Sequence, residues 1–317
     1  MSYFLRRSLH AIIVVWAAFT LSFILLYALP SNPIEIMLGG EDAGAVTAAQ
    51  RHALAAAYGY DQSTIGRYFH LLNQAIHGDF GVSMQSGKPV TAQILDVLPE
   101  TLKLASVALL LALTVGFVLA LAASARPSGR LRAVLLALPP ISMAIPIFWT
   151  GLLLLHIFAF RLHLLPSIGN LGVQSLVLPA ITIALPAASL IAQTLSRSLD
   201  DTFALPFVPA LKAKGLSFIR LYLVHVLHNA ILPTLTVIGV IMGHLFSGAV
   251  VTETVFSRSG VGRMLQGAAS VQDIPVVQGL VMLAATAFAL INLAVDLSYP
   301  LLDPRMRRIR DAAAHTD

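Results

Sequence analysis

An all-α membrane protein with six transmembrane helices is what the sequence predicts, and three observations carry that prediction: composition, the length of the apolar runs, and their continuity. Hydrophobic residues fill 57% of the 317 positions and charged residues 11%, with a mean hydropathy of +0.82. That is far too apolar for a soluble chain of this length. Six runs of mostly apolar residues cover 8–29, 101–123, 133–160, 176–195, 231–252 and 276–299. Each is long enough to cross a hydrocarbon core of about 30 Å as a helix. None alternates between polar and apolar, which excludes a β-barrel and leaves the helix as the way to satisfy backbone groups in lipid.

Orientation follows from the basic residues. Arg6 and Arg7 precede the first run, Arg126, Arg130 and Arg132 separate the second from the third, and Arg305, Arg307, Arg308 and Arg310 follow the sixth. The short loop between the third and fourth runs holds only Arg161. Cytoplasmic loops collect Lys and Arg, so both termini are expected in the cytoplasm. The net charge of +5 is spread over these loops and forms no basic patch joined to exposed aromatics, so it reads as a topology determinant and not as a nucleic-acid surface. Cysteine is absent, which rules out disulfides, a thiol nucleophile and any Cys-based metal site.

In chain order, the first run begins after a twin arginine but ends at Ala28-Leu29-Pro30 without a small-residue cleavage site, and is expected to stay as an anchor. The long region 31–100 then lies outside the cytoplasm. Within it, 47–58 reads as a helix capped by Thr47 and closed by Gly59, and 61–76 as a second helix. A Ser86-Gly87-Lys88 triplet follows, but Pro89 stands where a phosphate loop needs Ser or Thr, and the first glycine is misplaced.

The third run contains Pro139, Pro140 and Pro146, and the fourth contains Pro179 and Pro186. Such prolines free carbonyls, which either kinks helices for packing or lines a gated, water-filled path. Between the fourth and fifth runs, 207–233 carries Lys212, Lys214, Arg220, His225 and His228 and reads as a short helix, a hinge at Gly215, and a second helix. Leu216, Ile219, Leu223, Val226 and Leu227 mark the expected apolar side of that second helix, and Pro233 opens the next span. In the fifth run Gly239, Gly243 and Ser247 form a small-residue face for close helix approach.

His244, beside that face, is an intramembrane ionisable group and hence a candidate pathway residue, although a lone neutral His bonded to a neighbouring helix is the commoner arrangement. Asp296 reads in the same way, as a partner for a tail arginine. His156 and His163 have no companions at ligand spacing, so no metal site is assigned.

Several motifs together resemble one family. Ala210, Ala213, Lys214, Gly215, Leu216 and Ser217, followed by Asn229, Ala230, Leu232 and Pro233, are similar to the cytoplasmic "EAA" loop of permease subunits of ATP-binding-cassette importers. Gly78-Asp79-Phe80-Gly81 with Ser83, Pro89 and Val90 resembles the dipeptide, oligopeptide and nickel branch of that family. So do Ile145-Pro146-Ile147-Phe148-Trp149, Thr252-Glu253-Thr254-Val255-Phe256, Gly260-Val261-Gly262-Arg263, 272–279, 292–296 and Leu302-Asp303-Pro304-Arg305. Pro209, Leu211 and Ser259 depart from the pattern.

The resemblance implies a type I importer permease fold, with 1–100 as an N-terminal region, 101–300 as the permease core and 301–317 as a cytoplasmic tail. It also implies an inner-membrane location in bacteria. The short helix before Gly215 becomes a coupling helix, so Ala210, Lys212, Ala213, Lys214, Gly215, Leu216, Ser217, Asn229 and Pro233 form the expected ATPase-coupling loop. His244, Ser247 and Trp149 are the expected pathway residues. The implied partners are a second homologous permease, two ATPase subunits that bind ATP and Mg, and an extracytoplasmic binding protein. No cofactor is expected in this chain, and no catalytic role.

The implied cargo is a di- or oligopeptide, with nickel or a metal chelate as the alternative. The chain has no Walker A sequence, so it cannot supply its own energy from ATP. An ion-coupled carrier needs an internal repeat or several intramembrane charges, and a membrane-embedded enzyme needs a catalytic cluster. The first three runs do not resemble the last three, and only Asp296 and His244 are candidate coupling groups, which leaves an ion-coupled secondary transporter as the remote alternative; no catalytic cluster is present in the sequence.

Overall fold

The computed structural model of the chain describes residues 3–28, 63–125, 128–170 and 172–302. The helix expected over 47–58 and the tail arginines 305–310 lie outside these residues. Ten helices are described here as α1 (Tyr3–Ala28), α2 (Thr64–Ile76), α3 (Val90–Ser124), α4 (Arg130–Ala144), α5 (Ile147–Leu154), α6 (Gln174–Phe203), α7 (Phe207–Ala213), α8 (Leu227–Val255), α9 (Val261–Ser270) and α10 (Ile274–Leu302). Among the described residues no strand occurs, only an isolated antiparallel bridge between Val82 and Pro89.

Among the described residues five helical stretches are long and apolar enough to cross a membrane, and a bent pair makes a sixth if it is one crossing. The spans outgrow the apolar runs that announced them. α3, for example, begins at Val90 and not near 101, because its first turns bury Val90 and Ile94 in a cluster with Val261, Val276 and Leu280 and need no lipid to be stable. The third run differs in kind. A single crossing over 133–160 was expected, yet the chain bends by 102° between Ala144 and Ile147. Pro146 accounts for the site of the break, since it lacks the N–H that would continue the ladder and drives Ile145 into an extended conformation (ψ 126°). Pro139 and Pro140 lie inside α4 without ending it. Beyond α5 the helix widens to a π-helical stretch, Leu155–Arg161.

The chain divides into two compact units. One comprises Met1–Thr101 and Ser259–Ala289. Its core joins Val90 and Ile94 at the start of α3 with Val261 and Ala268 of α9 and Val276 and Leu280 of α10. Thr101 Oγ1 accepts the Val261 N–H at 2.8 Å, satisfying one of the free donors at the start of α9.

The other unit comprises Leu102–Arg258 and Leu290–Asp317, and α6 is its central element. Leu178, Ile191, Leu195 and Leu199 of α6 are essentially inaccessible. Leu104, Ala108 and Ala112 of α3 and Ile241 and Leu245 of α8 pack in a cluster with Ala180, Ile183, Ala184, Ala188 and Ile191 of α6. Small residues on the facing helices let the backbones approach closely, as membrane helices require in the absence of a hydrophobic drive between them. The closest approach is at Gly116, where an added Cβ would lie 2.8 Å from the Ala188 carbonyl and 2.8 Å from the Ile191 Cβ. Neither atom is the free end of a flexible side chain. Gly116→Ala is therefore expected to cost about 1–3 kcal/mol, read as a lower Tm of the detergent-solubilised protein.

Candidate functional site

The basic end of the second unit is built on a platform of three helices. Ala120 of α3, Leu195 and Leu199 of α6, Val208 of α7, and Leu221, Tyr222, Val226 and Ala230 form one buried cluster. Tyr222 stacks between Phe203 (ring centroids 5.5 Å, 20°) and Phe218 (5.6 Å, 13°), and its hydroxyl donates to the Leu121 carbonyl at 3.0 Å. Beside it, Arg132 donates to Asp200 at 2.6 Å and to the Ala123 carbonyl at 3.3 Å. That pair is partly exposed, so it orients the helix ends more than it stabilises them.

α7 sits on this platform through Val208, flanked by the half-buried Phe207 and Leu211. Val208 is buried, while Pro209, Ala210, Lys212, Ala213 and Lys214 are exposed. Gly215 then takes φ +79°, a left-handed conformation that glycine adopts without penalty, and reverses the chain. Leu216 is half-buried and Ser217 exposed. The two departures from the family pattern fit this helix: Pro209 is its third residue, in the first turn where no N–H partner exists, and Leu211 is half-buried and packs against the platform cluster.

The segment after the hinge differs from its sequence reading. The buried side is Leu221, Tyr222, Val226 and Ala230, whereas Ile219 and Leu223 are exposed. A π-helical stretch over Leu221–Val226 is the reason. Its wider turn rotates the residues after it relative to a 3.6-residue pattern. At its junction with α8, Asn229 Nδ2 donates to the His225 carbonyl at 2.7 Å, taking up an acceptor where the ladder changes spacing. Pro233 lies within α8 and opens no new helix.

A cavity of about 510 Å³ lies in the same unit at the bend between α4 and α5. Met143 and Ile147 line it from either side of the break, Ile183, Pro186, Ala187 and Leu190 from α6, and Ile241, His244, Leu245, Ser247, Gly248 and Val251 from α8. Its wall is apolar except for His244 and Ser247, both exposed. Ser247 donates to the His244 carbonyl at 3.1 Å. Trp149 is on α5, half exposed, and is not part of the wall. Gly239, from the small-residue face, meets Val295 of α10, where an added Cβ would lie at 3.0 Å.

Two buried polar arrangements were not singled out by the sequence as sites. In the first unit Asp273, 3% exposed, accepts from Ser83 Oγ at 2.5 Å, from the Met84 N–H at 3.1 Å and from the Gln85 N–H at 3.4 Å. Ser83 Oγ in turn accepts from the Ser86 N–H at 3.0 Å. The loop between α2 and α3 is thereby clasped to the turn between α9 and α10. In the second unit Arg258, 2% exposed, donates through Nη1 to the Gly169 carbonyl (3.2 Å), the Ser175 carbonyl (3.0 Å) and Ser175 Oγ (3.0 Å). For the second, an arginine between Ser257 and Ser259 just beyond an apolar run was the available signal. For the first, only the acidic residue just ahead of a helix start was visible. Among the described residues no group of three or more His, Asp or Glu is gathered that could hold a metal.

Comparison with known proteins places this architecture. The family described as "Binding-protein-dependent transport system inner membrane component" matches residues 112–308, and its N-terminal companion matches 1–105. The glutathione transport system permease protein GsiC of Salmonella choleraesuis is 32% identical over 307 residues, 97% of this chain and 99% of that protein. The dipeptide transport system permease protein DppB of Escherichia coli K12 is 32% identical over 338 aligned positions, 96% of this chain and 98% of that protein. A solved inward-facing structure of the MetNI methionine ABC transporter superposes with a TM-score of 0.57 at 17% identity, covering 67% of this chain and 96% of the other, which shows a shared fold. With profile matches along nearly its whole length and full-length relatives above 30% identity, the chain belongs to the family of inner-membrane components of binding-protein-dependent transport systems.

Proposed function

We propose that the chain is the transmembrane permease subunit of an ATP-driven importer and forms half of the translocation pathway for di- and oligopeptides. The observation that carries this is the end-to-end similarity to two permeases whose names specify a dipeptide and glutathione, itself a short peptide. Counting the bent pair α4 and α5 as one crossing gives six spans, with both termini in the cytoplasm by the charge asymmetry of the loops. In that orientation α7 faces the cytoplasm as the coupling helix. Two ATPase subunits hold ATP and Mg and hydrolyse the nucleotide; a second homologous permease completes the path; and an extracytoplasmic binding protein delivers cargo. Residues 1–100 serve as the N-terminal region, 101–300 as the permease core and 301–317 as the tail.

The cavity beside His244 and Ser247 is assigned to the pathway. Its two halves hinge at Pro146, so rocking of the helices changes its volume, and differential docking of the ATPases in the two states supplies the bias that such a change needs. The test is uptake of a labelled dipeptide into vesicles containing the whole transporter. Uptake is expected to stop when ATP is removed and to persist when ion gradients are collapsed. Ala187→Trp, which fills the cavity, is expected to lower uptake at least tenfold with the complex still assembled. Gradient-driven uptake without ATP would overturn the importer reading, and full uptake by the Ala187→Trp variant would remove the cavity from the pathway.

A further inference from the structure

Helix α2 presents three distinct sectors. At about 100° per residue, Ile65, Phe69, Leu72 and Ile76 fall within an arc of about 60°, and Ile65, Phe69 and Ile76 are 73%, 62% and 74% exposed. His70, Asn73 and His77, all exposed, occupy a neighbouring sector centred about 100° round the helix from that stripe. On the other flank of the stripe Tyr68 turns onto α1. Its ring lies 5.5 Å from Phe19 and 5.3 Å from Phe23, both buried, and its hydroxyl is hydrogen-bonded to Thr20 Oγ1 at 2.8 Å.

The docking level on α1 identifies what covers the apolar stripe. Residues 19–23 lie five to nine residues before the end of α1, about 8–14 Å along its axis at 1.5 Å per residue. At that level the free flank of α1 exposes Leu21, Ile24 and Leu25, and since α1 is a candidate membrane span, that flank faces acyl chains. A helix held there is at the depth where amphipathic helices lie in a leaflet, apolar face buried about 5–10 Å. With its stripe turned into the leaflet beside the apolar flank of α1, His70, Asn73 and His77 lie to one side of the buried arc, where an interfacial helix keeps its polar residues at headgroup level.

We infer that α2 is an interfacial helix whose Ile65, Phe69, Leu72 and Ile76 are embedded in the lipid leaflet at the C-terminal end of α1, the outer leaflet in the orientation proposed above. The role is an anchor that fixes the extramembrane region at the membrane surface.

The chain has no cysteine, so single nitroxide labels can be placed cleanly. Ile65→Cys, Phe69→Cys, Ile76→Cys, His70→Cys and Asn73→Cys variants of the full chain, assembled with its partner subunits in phosphatidylethanolamine and phosphatidylglycerol vesicles, are labelled and their collision rates with oxygen and with a water-soluble nickel chelate compared. The ratio of oxygen to nickel access is expected to be at least threefold higher at 65, 69 and 76 than at 70 and 73. Equal ratios on both faces would place the helix in water and overturn the inference. Low access to both reagents at 65, 69 and 76 would show a protein partner covering the stripe, and would overturn it equally.

Discussion

Ala213→Arg is expected to strip the ATPase subunits from the purified transporter and abolish ATP-driven uptake, while the amount of the chain in the membrane and its Tm stay as in the wild type. The separation of effects follows from where Ala213 lies. It is on the exposed side of α7, whose attachment to the platform runs through Phe207, Val208 and Leu211, so a larger side chain displaces nothing inside the fold, and exposed substitutions rarely change stability by more than about 0.5 kcal/mol. A small residue beside Lys212 and Lys214 leaves the face flat enough to be received by a groove. A guanidinium placed there must be desolvated without a partner, a cost of several kcal/mol in a docked interface. Association should therefore weaken more than 100-fold, equivalent to about 2.7 kcal/mol. Gly215→Pro is the companion variant. Proline holds φ near −65°, which the φ of +79° at this position excludes, so α7 is re-aimed although its exposed face is unaltered. Co-purification of the ATPases at wild-type levels with both variants would show that coupling runs through another surface.

The short helix before Gly215 and the turn after it were legible in sequence because they are local: a helix of seven residues and a glycine that must be left-handed are both read from neighbours in the chain. The spans were legible for the same reason, as continuous apolar length needs no partner to be recognised. Three features were not legible, and each depends on something non-local. The break at Pro146 could not be told from the unbroken passage through Pro139 and Pro140, since all three prolines carry the same local penalty and only the packing of α4 and α5 on α6 and α8 decides where the helix parts. The register after Gly215 was misread because a π-helical stretch inserts an extra residue per turn, and the burial of Leu221 and Tyr222 in place of Ile219 and Leu223 follows from it. The clasp at Asp273 joins residues 190 positions apart, and no periodicity reports such a pair.

Asp273→Ala is expected to release the loop that precedes α3. The carboxylate is buried and accepts one hydroxyl and two backbone N–H bonds, and charge-assisted bonds of this kind contribute about 1.5–3 kcal/mol where both partners are out of water. Removing the acceptor also strands the Ser83 hydroxyl proton and the Met84 amide in a pocket where Ser83 is 2% and Met84 7% exposed, while the Gln85 amide keeps only its 3.3 Å bond to Ser83 Oγ, and buried unpaired donors cost further free energy. A local opening that costs about 3 kcal/mol less than in the wild type corresponds to amide exchange more than 100-fold faster at 84 and 85, read by mass spectrometry on the peptide spanning them. Asp273→Asn keeps one acceptor oxygen and should fall between the two. Ser83→Ala loses the hydroxyl but leaves both amide bonds, so its effect is smaller, and the double variant should show a coupling of about 1.5 kcal/mol or more between the two sites. Because this loop belongs to the extracytoplasmic region 31–100 in the proposed topology, the released variant should lose uptake yet retain its ATPases, which separates it from Ala213→Arg. Unchanged exchange at 84 and 85 in the Asp273→Ala variant would show that the loop is held by its own turn hydrogen bonds, and that Asp273 only occupies space there.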